Sequence, residues 1–247
     1  MDIFALPPLT LLLDGAYRAL VLLSGVLAPL TGTASAAAAV VLVTLLVRTA
    51  LIPVGVSQAK AEQVRARLAP KLRELQRRHG KDAERLQRET LELYRRENTS
   101  PFAGCLPMLV QAPIVGVIYS LFLRPTIAGH PNGLLSHDLL GAPLGRSLIA
   151  ATGTGIDLST AVVWGILLAV ILGVAEVSRR VFRPSAPAEG PLSSPGALRA
   201  MGALHYLTAV FAVFVPLAAA LYLTVTVSWT LAQRILLRRR YPLPDAG

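Results

Sequence analysis

The chain has 247 residues, 53% of them hydrophobic and only 15% charged, with a mean hydropathy of +0.56 and a net charge of +10. A soluble domain is typically about 45–50% apolar even with glycine counted, so this composition excludes an ordinary soluble globular protein. The apolar residues form long runs close to the roughly 20 residues that a membrane-crossing segment needs. Such runs must satisfy their own backbone hydrogen bonds in lipid, which makes them helices.

The basic balance does not require nucleic acid as a partner, because lysine and arginine concentrate in the cytoplasmic loops of membrane proteins. Residues 57–100 hold twelve of the 24 basic residues. Arg179, Arg180, Arg183 and Arg199 flank a second polar gap, and Arg234, Arg238, Arg239 and Arg240 crowd the C-terminal end. The gap 125–157 holds only Arg146. The first two regions and the tail are therefore expected in the cytoplasm and 125–157 outside. The single cysteine, Cys105, excludes an intramolecular disulfide and a cysteine-rich metal site.

Residues 1–33 are apolar but interrupted by Pro7, Pro8, Asp14 and Arg18. Asp14 and Arg18 stand at i and i+4, where they can pair along one helix face. The expectation is a helix lying in the outer interface, with an extra span or an uncleaved signal as the alternatives. A first span is expected over 34–57. It is followed at 58–100 by a charged hairpin of two helices. Val64, Leu68, Leu72 and Leu75 recur with helical periodicity, while Leu86, Leu93 and Tyr94 mark the return helix. Gly80 reads as the cap ending the first helix and Asp82 as the cap starting the second. Pro70 predicts a kink or offset in the first.

A second span is expected over 101–124, after the breakers of "ENTSPFAGCLP". The outer loop, 125–157, contains one short helical candidate, "GLLSHDLLG", and its His137–Asp138 pair reads as a local cap. A third span covers 158–180, and the Pro- and Ser-rich 181–199 is a cytoplasmic loop. The block 200–236 is too long for one crossing. With Pro216 near its centre it reads as a hairpin of a fourth and a fifth span, leaving 237–247 as a basic tail. The fold class is thus an all-α polytopic membrane protein with five transmembrane helices, the N-terminus outside and the C-terminus inside.

Arg48 interrupts "VVLVTLLVRTALIPV" inside the first span. A centrally placed arginine costs about 2.5–3.5 kcal/mol on insertion scales. Two explanations are structural: snorkelling to the interface, or pairing with a buried acid such as Glu176. The functional one is a water-filled cavity lined by positive charge. Thr44, one turn before Arg48, together with Gln111, Ser120, Thr224, Ser228 and Gln233, supplies further polar groups within spans. Trp164 and Trp229 read as packing residues or interfacial anchors. P-loop, HExxH, GxSxG and GxGxxG patterns are all missing, and the four histidines are scattered. No enzyme chemistry, cofactor or metal is expected.

"TLLVRTALIPVGVSQAKAEQVRARLAPKLRELQRRHGKD" followed by "LYRRENTSPFAGCLPMLVQAPIVGVIY" resembles the YidC family of membrane protein insertases, in its short bacterial form without a large periplasmic domain. The second-span pattern is Pro101, Gly104, Cys105, Pro107, Leu109, Gln111, Pro113, Ile114 and Tyr119. The resemblance implies a hydrophilic groove open to the cytoplasm and the lipid and closed outside, with Arg48 as its arginine and Tyr222 on its last span. It implies nascent membrane proteins as substrates, the ribosome, signal recognition machinery and Sec translocon as partners, anionic lipids at the basic segments, action as a monomer, and a bacterial plasma membrane location. Departures are Leu223, where the family often has a second aromatic or polar residue, and Val227, where it often has asparagine. A small channel or transporter using Arg48 as an anion site is the alternative from another class, and a recruiting scaffold is a third.

Overall fold

The computed structural model describes residues 7–80, 82–97, 106–127, 129–153, 155–182 and 203–242. The breakers at 98–105, including Pro101, Gly104 and Cys105, the loop 183–202 and the end of the tail lie outside the described residues. Nine helices are described: α1 (Pro7–Thr31), α2 (Ser35–Ala50), α3 (Ile52–His79), α4 (Ala83–Arg96), α5 (Leu106–Leu123), α6 (Leu148–Thr152), α7 (Leu158–Val181), α8 (Leu207–Phe214) and α9 (Leu217–Arg240). Among the described residues, three helical stretches are long and apolar enough to cross a membrane: Thr10–Ala50, Leu158–Val181 and Leu217–Arg240. The first of these is bent. Gly32 takes φ +57°, and the Ser24 and Ser35 hydroxyls meet at 3.0 Å. Eleven residues of straight helix would hold them about 16 Å apart, so α1 folds back on α2. Ala36, Ala37 and Ala39 let the two backbones approach, and Leu13 and Leu20 join them in the core. Asp14 and Arg18 pair along α1 at 2.9 Å.

The loop between α5 and α7 gathers one end of the bundle. It carries two small antiparallel ribbons, β1 (Thr126–Ile127) with β2 (His130–Pro131) and β3 (Asp138–Leu139) with β4 (Ala142–Pro143). The predicted helix at "GLLSHDLLG" is only a 3-10 turn at Gly133–Ser136, and the rest is the second ribbon. Leu140 at φ +53° and Gly141 at φ +87° form the two-residue turn, a backbone that helical periodicity does not anticipate. Asp138 accepts a hydrogen bond from the Gly141 amide at 2.8 Å, a purely local role.

Asn132, buried in this loop, donates to the Leu121 and Arg124 carbonyls at the end of α5 and accepts from the Leu134 amide. It thereby occupies carbonyls that a helix end leaves without partners. At the start of α9, the Leu217 and Ala218 amides donate to the Arg146 and Leu144 carbonyls at 2.9 and 3.0 Å. Tyr17 ties α1 to the same loop through the Pro131 carbonyl and the Gly133 amide. Residues Leu217–Tyr222 are buried, half of them completely.

Helices α2, α7 and α9 start at this loop end, and α5 and α8 finish there. Asp157 caps α7 by accepting from the Thr160 amide at 3.1 Å. Pro216 separates α8 from α9, since it has no amide to continue the first helix and its fixed φ suits the entry to the second.

The opposite end carries the charged hairpin. Asp82 caps α4 by accepting from the Arg85 amide at 3.0 Å. Gly80 ends α3 without a left-handed backbone; it is close approach that favours glycine here, because a Cβ would stand 2.5 Å from the Gln76 carbonyl oxygen. The seam is thin. Leu68 and Tyr94 are buried, while Leu72, Leu75, Leu86 and Leu93 are half-buried. Glu97 closes it with bonds from Lys71 at 2.6 Å and Arg67 at 3.0 Å. Pro70 sits on the exposed side of α3 and does not end the helix.

Candidate functional site

Arg48 stands in the last turn of α2, where a cation is favoured by the helix dipole. The helix stops at Ala50. Leu51 is its cap, and Pro53 in the first turn of α3 has no amide to carry the ladder on. The stretch 34–57, expected to be one uninterrupted helix, is therefore two helices that meet at Leu51. The half-buried Arg48 side chain lies beside the hydroxyl of Tyr222, which is 3% exposed on α9.

The acids nearest in kind are taken by other arginines. Glu176 pairs with Arg179 at 2.8 Å and also holds Arg180 and the Tyr206 hydroxyl. Glu62 pairs with Arg234 and Arg238, each at 3.2 Å. Asp14 has Arg18. Arg48 is thus met by a neutral hydroxyl, and Glu176 is not its counter-ion. A phenol accepts a hydrogen bond from guanidinium without cancelling its charge, so the site stays electropositive inside a mostly apolar bundle.

The other expected residues separate into two groups. Thr44 is buried, and its hydroxyl donates to the Val40 carbonyl at 2.6 Å. Ser228 donates to the Thr224 carbonyl and Thr224 to the Ala220 carbonyl, both at 2.8 Å. These donors are spent within their own helices, a common fate of Ser and Thr in helix interiors. Ser120 is buried within one turn of the loop end of α5, whereas Arg48 lies about 20 Å along α2 from that end. Gln111 lies on α5, its side chain outside the described residues.

Gln233 belongs with Arg48 and Tyr222. Its side chain rests on the backbone of Gly55 in α3, so closely that a Cβ at Gly55 would fall 2.0 Å from Nε2. That nitrogen is buried and has no hydrogen-bond partner among the described residues. The same is true of Trp229 Nε1 and Thr226 Oγ1, the latter beside the Tyr222 hydroxyl without reaching bonding geometry. The sequence pattern does not set Thr226 apart, and Trp229 reads there as a packing residue or anchor. The available signal was the spacing 222, 226, 229, 233, which repeats on one helix face.

Beyond Gln233, α9 is clasped to its neighbours. The Arg234 and Arg238 guanidinium carbons lie 4.3 and 4.4 Å from the centre of the Phe182 ring at the end of α7. Arg238 also donates to the Val181 carbonyl at 3.2 Å. Glu62 of α3 bridges the two arginines, Gln63 donates to the Pro242 carbonyl at 2.9 Å, and Lys60 lies over the Tyr241 ring. This polar clasp joins α3, α7 and α9 where they leave the apolar bundle.

Residues 26–244 match the family described as 60Kd inner membrane protein. Among curated proteins, the chain is similar to the membrane protein insertase YidC of Oceanobacillus iheyensis, with 42% identity over 97 residues, 37% of this chain and 38% of that one. The membrane protein insertase YidC of Streptomyces avermitilis is 26% identical over 223 residues, covering 84% of this chain and 52% of its own length. That of Clostridium perfringens is 37% identical over 81 residues, 33% of this chain and 34% of its own. The matches thus span about a third to a half of these relatives.

Proposed function

The chain belongs to the 60Kd inner membrane protein family, and from that premise we propose that it is a membrane protein insertase. It accepts hydrophobic segments of nascent proteins from the cytoplasm and passes them sideways into the bilayer. The carrying observation is Arg48. It is a half-buried cation met by the Tyr222 hydroxyl, with the acids that could neutralise it paired elsewhere.

In this reading five segments cross the membrane, namely α2, α5, α7, a segment ending in α8, and α9. The loop end faces outside and the hairpin end faces the cytoplasm. Helix α1 lies in the outer interface, where its exposed Leu11, Leu22, Val26 and Leu30 meet lipid. Arg48, Tyr222 and Gln233 line a hydrophilic groove, with Thr44, Gln111 and Ser228 along its walls and Ser120 at its closed outer end. The polar end of a substrate segment dwells beside Arg48 while its apolar part partitions into lipid. Burial of apolar surface supplies the drive, so no nucleotide is needed.

The hairpin and basic tail are suited to the ribosome, signal recognition machinery, the Sec translocon and anionic headgroups, with one copy of the chain sufficient. The tightly packed loop end argues against a channel through the membrane.

The test is complementation. An insertase-depleted bacterium expressing this chain is assayed for insertion of a Sec-independent substrate by protease protection. Wild type and Arg48→Lys are expected to rescue, and Arg48→Ala to lose most insertion at equal expression. Rescue by all three removes the groove charge from the mechanism, and failure of well-expressed wild type removes the function.

A further inference from the structure

Besides Arg238 Nε in the clasp, three buried side-chain atoms on α9, Thr226 Oγ1, Trp229 Nε1 and Gln233 Nε2, lack hydrogen-bond partners among the described residues. With Tyr222 they fall within an arc of about 60° on the helix. Tyr222 faces Arg48 near the end of α2, and Gln233 faces Gly55 at the start of α3. The row therefore runs along the α2–α3 junction, from the arginine toward the clasp. Buried polar groups are nearly always paired, so three orphans on one face point to an acceptor that comes and goes. The indole N–H and the amide NH2 only donate, and guanidinium is likewise donor-only. An occupant of this row must present acceptors at successive positions.

We propose that Thr226, Trp229 and Gln233 form a docking row for the backbone carbonyl oxygens of an extended polypeptide, the polar flank of a segment awaiting insertion, exposed when α3 lifts from α9. This rests on the insertase reading and adds to it a second contact beside Arg48, one that reads the main chain and not a side-chain charge. The geometry of α3 fits such a movement. It is a separate helix from α2, divided at Leu51, and it meets Gln233 through a glycine that offers no interlocking side chain. Its hold farther along is the ionic clasp of Glu62 to Arg234 and Arg238.

The experiment uses the full chain in membrane vesicles and two single-span substrates, identical except that one carries a long polar flank and the other only a few polar residues. Trp229→Phe removes the N–H and keeps the ring. Gln233→Leu removes the donors and keeps most of the volume. Both are expected to slow insertion of the long-flanked substrate several-fold, and Trp229→Phe to leave the short-flanked one unchanged. A benzophenone amino acid at position 229 is expected to crosslink to the long flank of an arrested chain. Equal slowing of both substrates, unchanged rates, or no adduct at 229 overturns the row, assigning these groups to packing or to water. Wild type that inserts neither substrate overturns the insertase reading itself.

Discussion

The two ends of the bundle treat their polar groups in opposite ways. At the loop end, backbone groups are sealed by direct hydrogen bonds, from one buried side-chain amide and from other backbone. Asn132 fills the carbonyls ending α5, the Arg146 and Leu144 carbonyls fill the first amides of α9, and the following alanines are buried behind them. At the hairpin end, contacts are made by long side chains and ionic pairs, and among the described residues Thr226 Oγ1, Trp229 Nε1, Gln233 Nε2 and Arg238 Nε are left over. Backbone-to-backbone closure with small residues has no alternative arrangement of similar energy. A clasp of partly exposed arginines around one glutamate does, because each exposed pair contributes only about 0–1 kcal/mol. The difference assigns rigidity to one end and movement to the other.

The comparison can be broken most sharply at Asn132. Asn132→Ala leaves buried groups of α5 and the loop unpaired, at about 1–3 kcal/mol for each such group. Thermal unfolding in detergent is expected to show a loss of about 3 kcal/mol. A loss near zero would mean that the loop end is not sealed by these bonds.

Glu62→Gln tests the other side. It removes the acid shared by Arg234 and Arg238 and should cost no more than about 1 kcal/mol of global stability. It is expected to raise hydrogen exchange along α3 while leaving α9 near Leu217 protected, and high salt should mimic it in the wild type. Equal protection of α3 in variant and wild type would remove the clasp as a restraint.

The smallest expected effect is on pH dependence in the hairpin. The bond from Lys71, aided by Arg67, holds the Glu97 carboxyl below the usual carboxylate range. A lowered folded pKa stabilises fully above the unfolded value and loses that contribution as pH falls through the folded one. Docking of α4 on α3 should therefore weaken on acidification below about pH 4, the ordinary glutamate value. Glu97→Gln should remove that part of the acid dependence, and an unchanged profile would mean that other groups close the hairpin.

Much of the architecture could be read without coordinates because it follows from local chemistry. Asp82 precedes an amphipathic run and caps it. The Leu68, Leu72, Leu75 spacing gives the seam of the hairpin. Pro216 divides an apolar block that is too long for a single helix. The misreadings share a cause as well. "GLLSHDLLG" has helical spacing, yet Leu140 adopts the left-handed backbone in a ribbon turn, which the surrounding loop imposes. The break at Leu51 sits within a continuous apolar run, and only Pro53 hinted at it. Thr44 and Ser228 stand out in the sequence for their polarity, and only the structure shows that each hydroxyl donates within its own helix and keeps its acceptor capacity alone.

The sequence by itself determined that this is a membrane protein of apolar helices with a charged hairpin, because hydropathy, charge distribution and periodicity are properties of short stretches of chain. It also set Arg48 apart, because a charge in an apolar run is conspicuous whatever surrounds it. Only the tertiary structure decided what that charge meets. Tyr222 lies 174 residues away in the chain, Glu176 is held by its own neighbours, and the unpartnered donors of α9 emerge only once every nearby acceptor has a position. Pairing is a relation between distant groups, fixed by packing and not by composition.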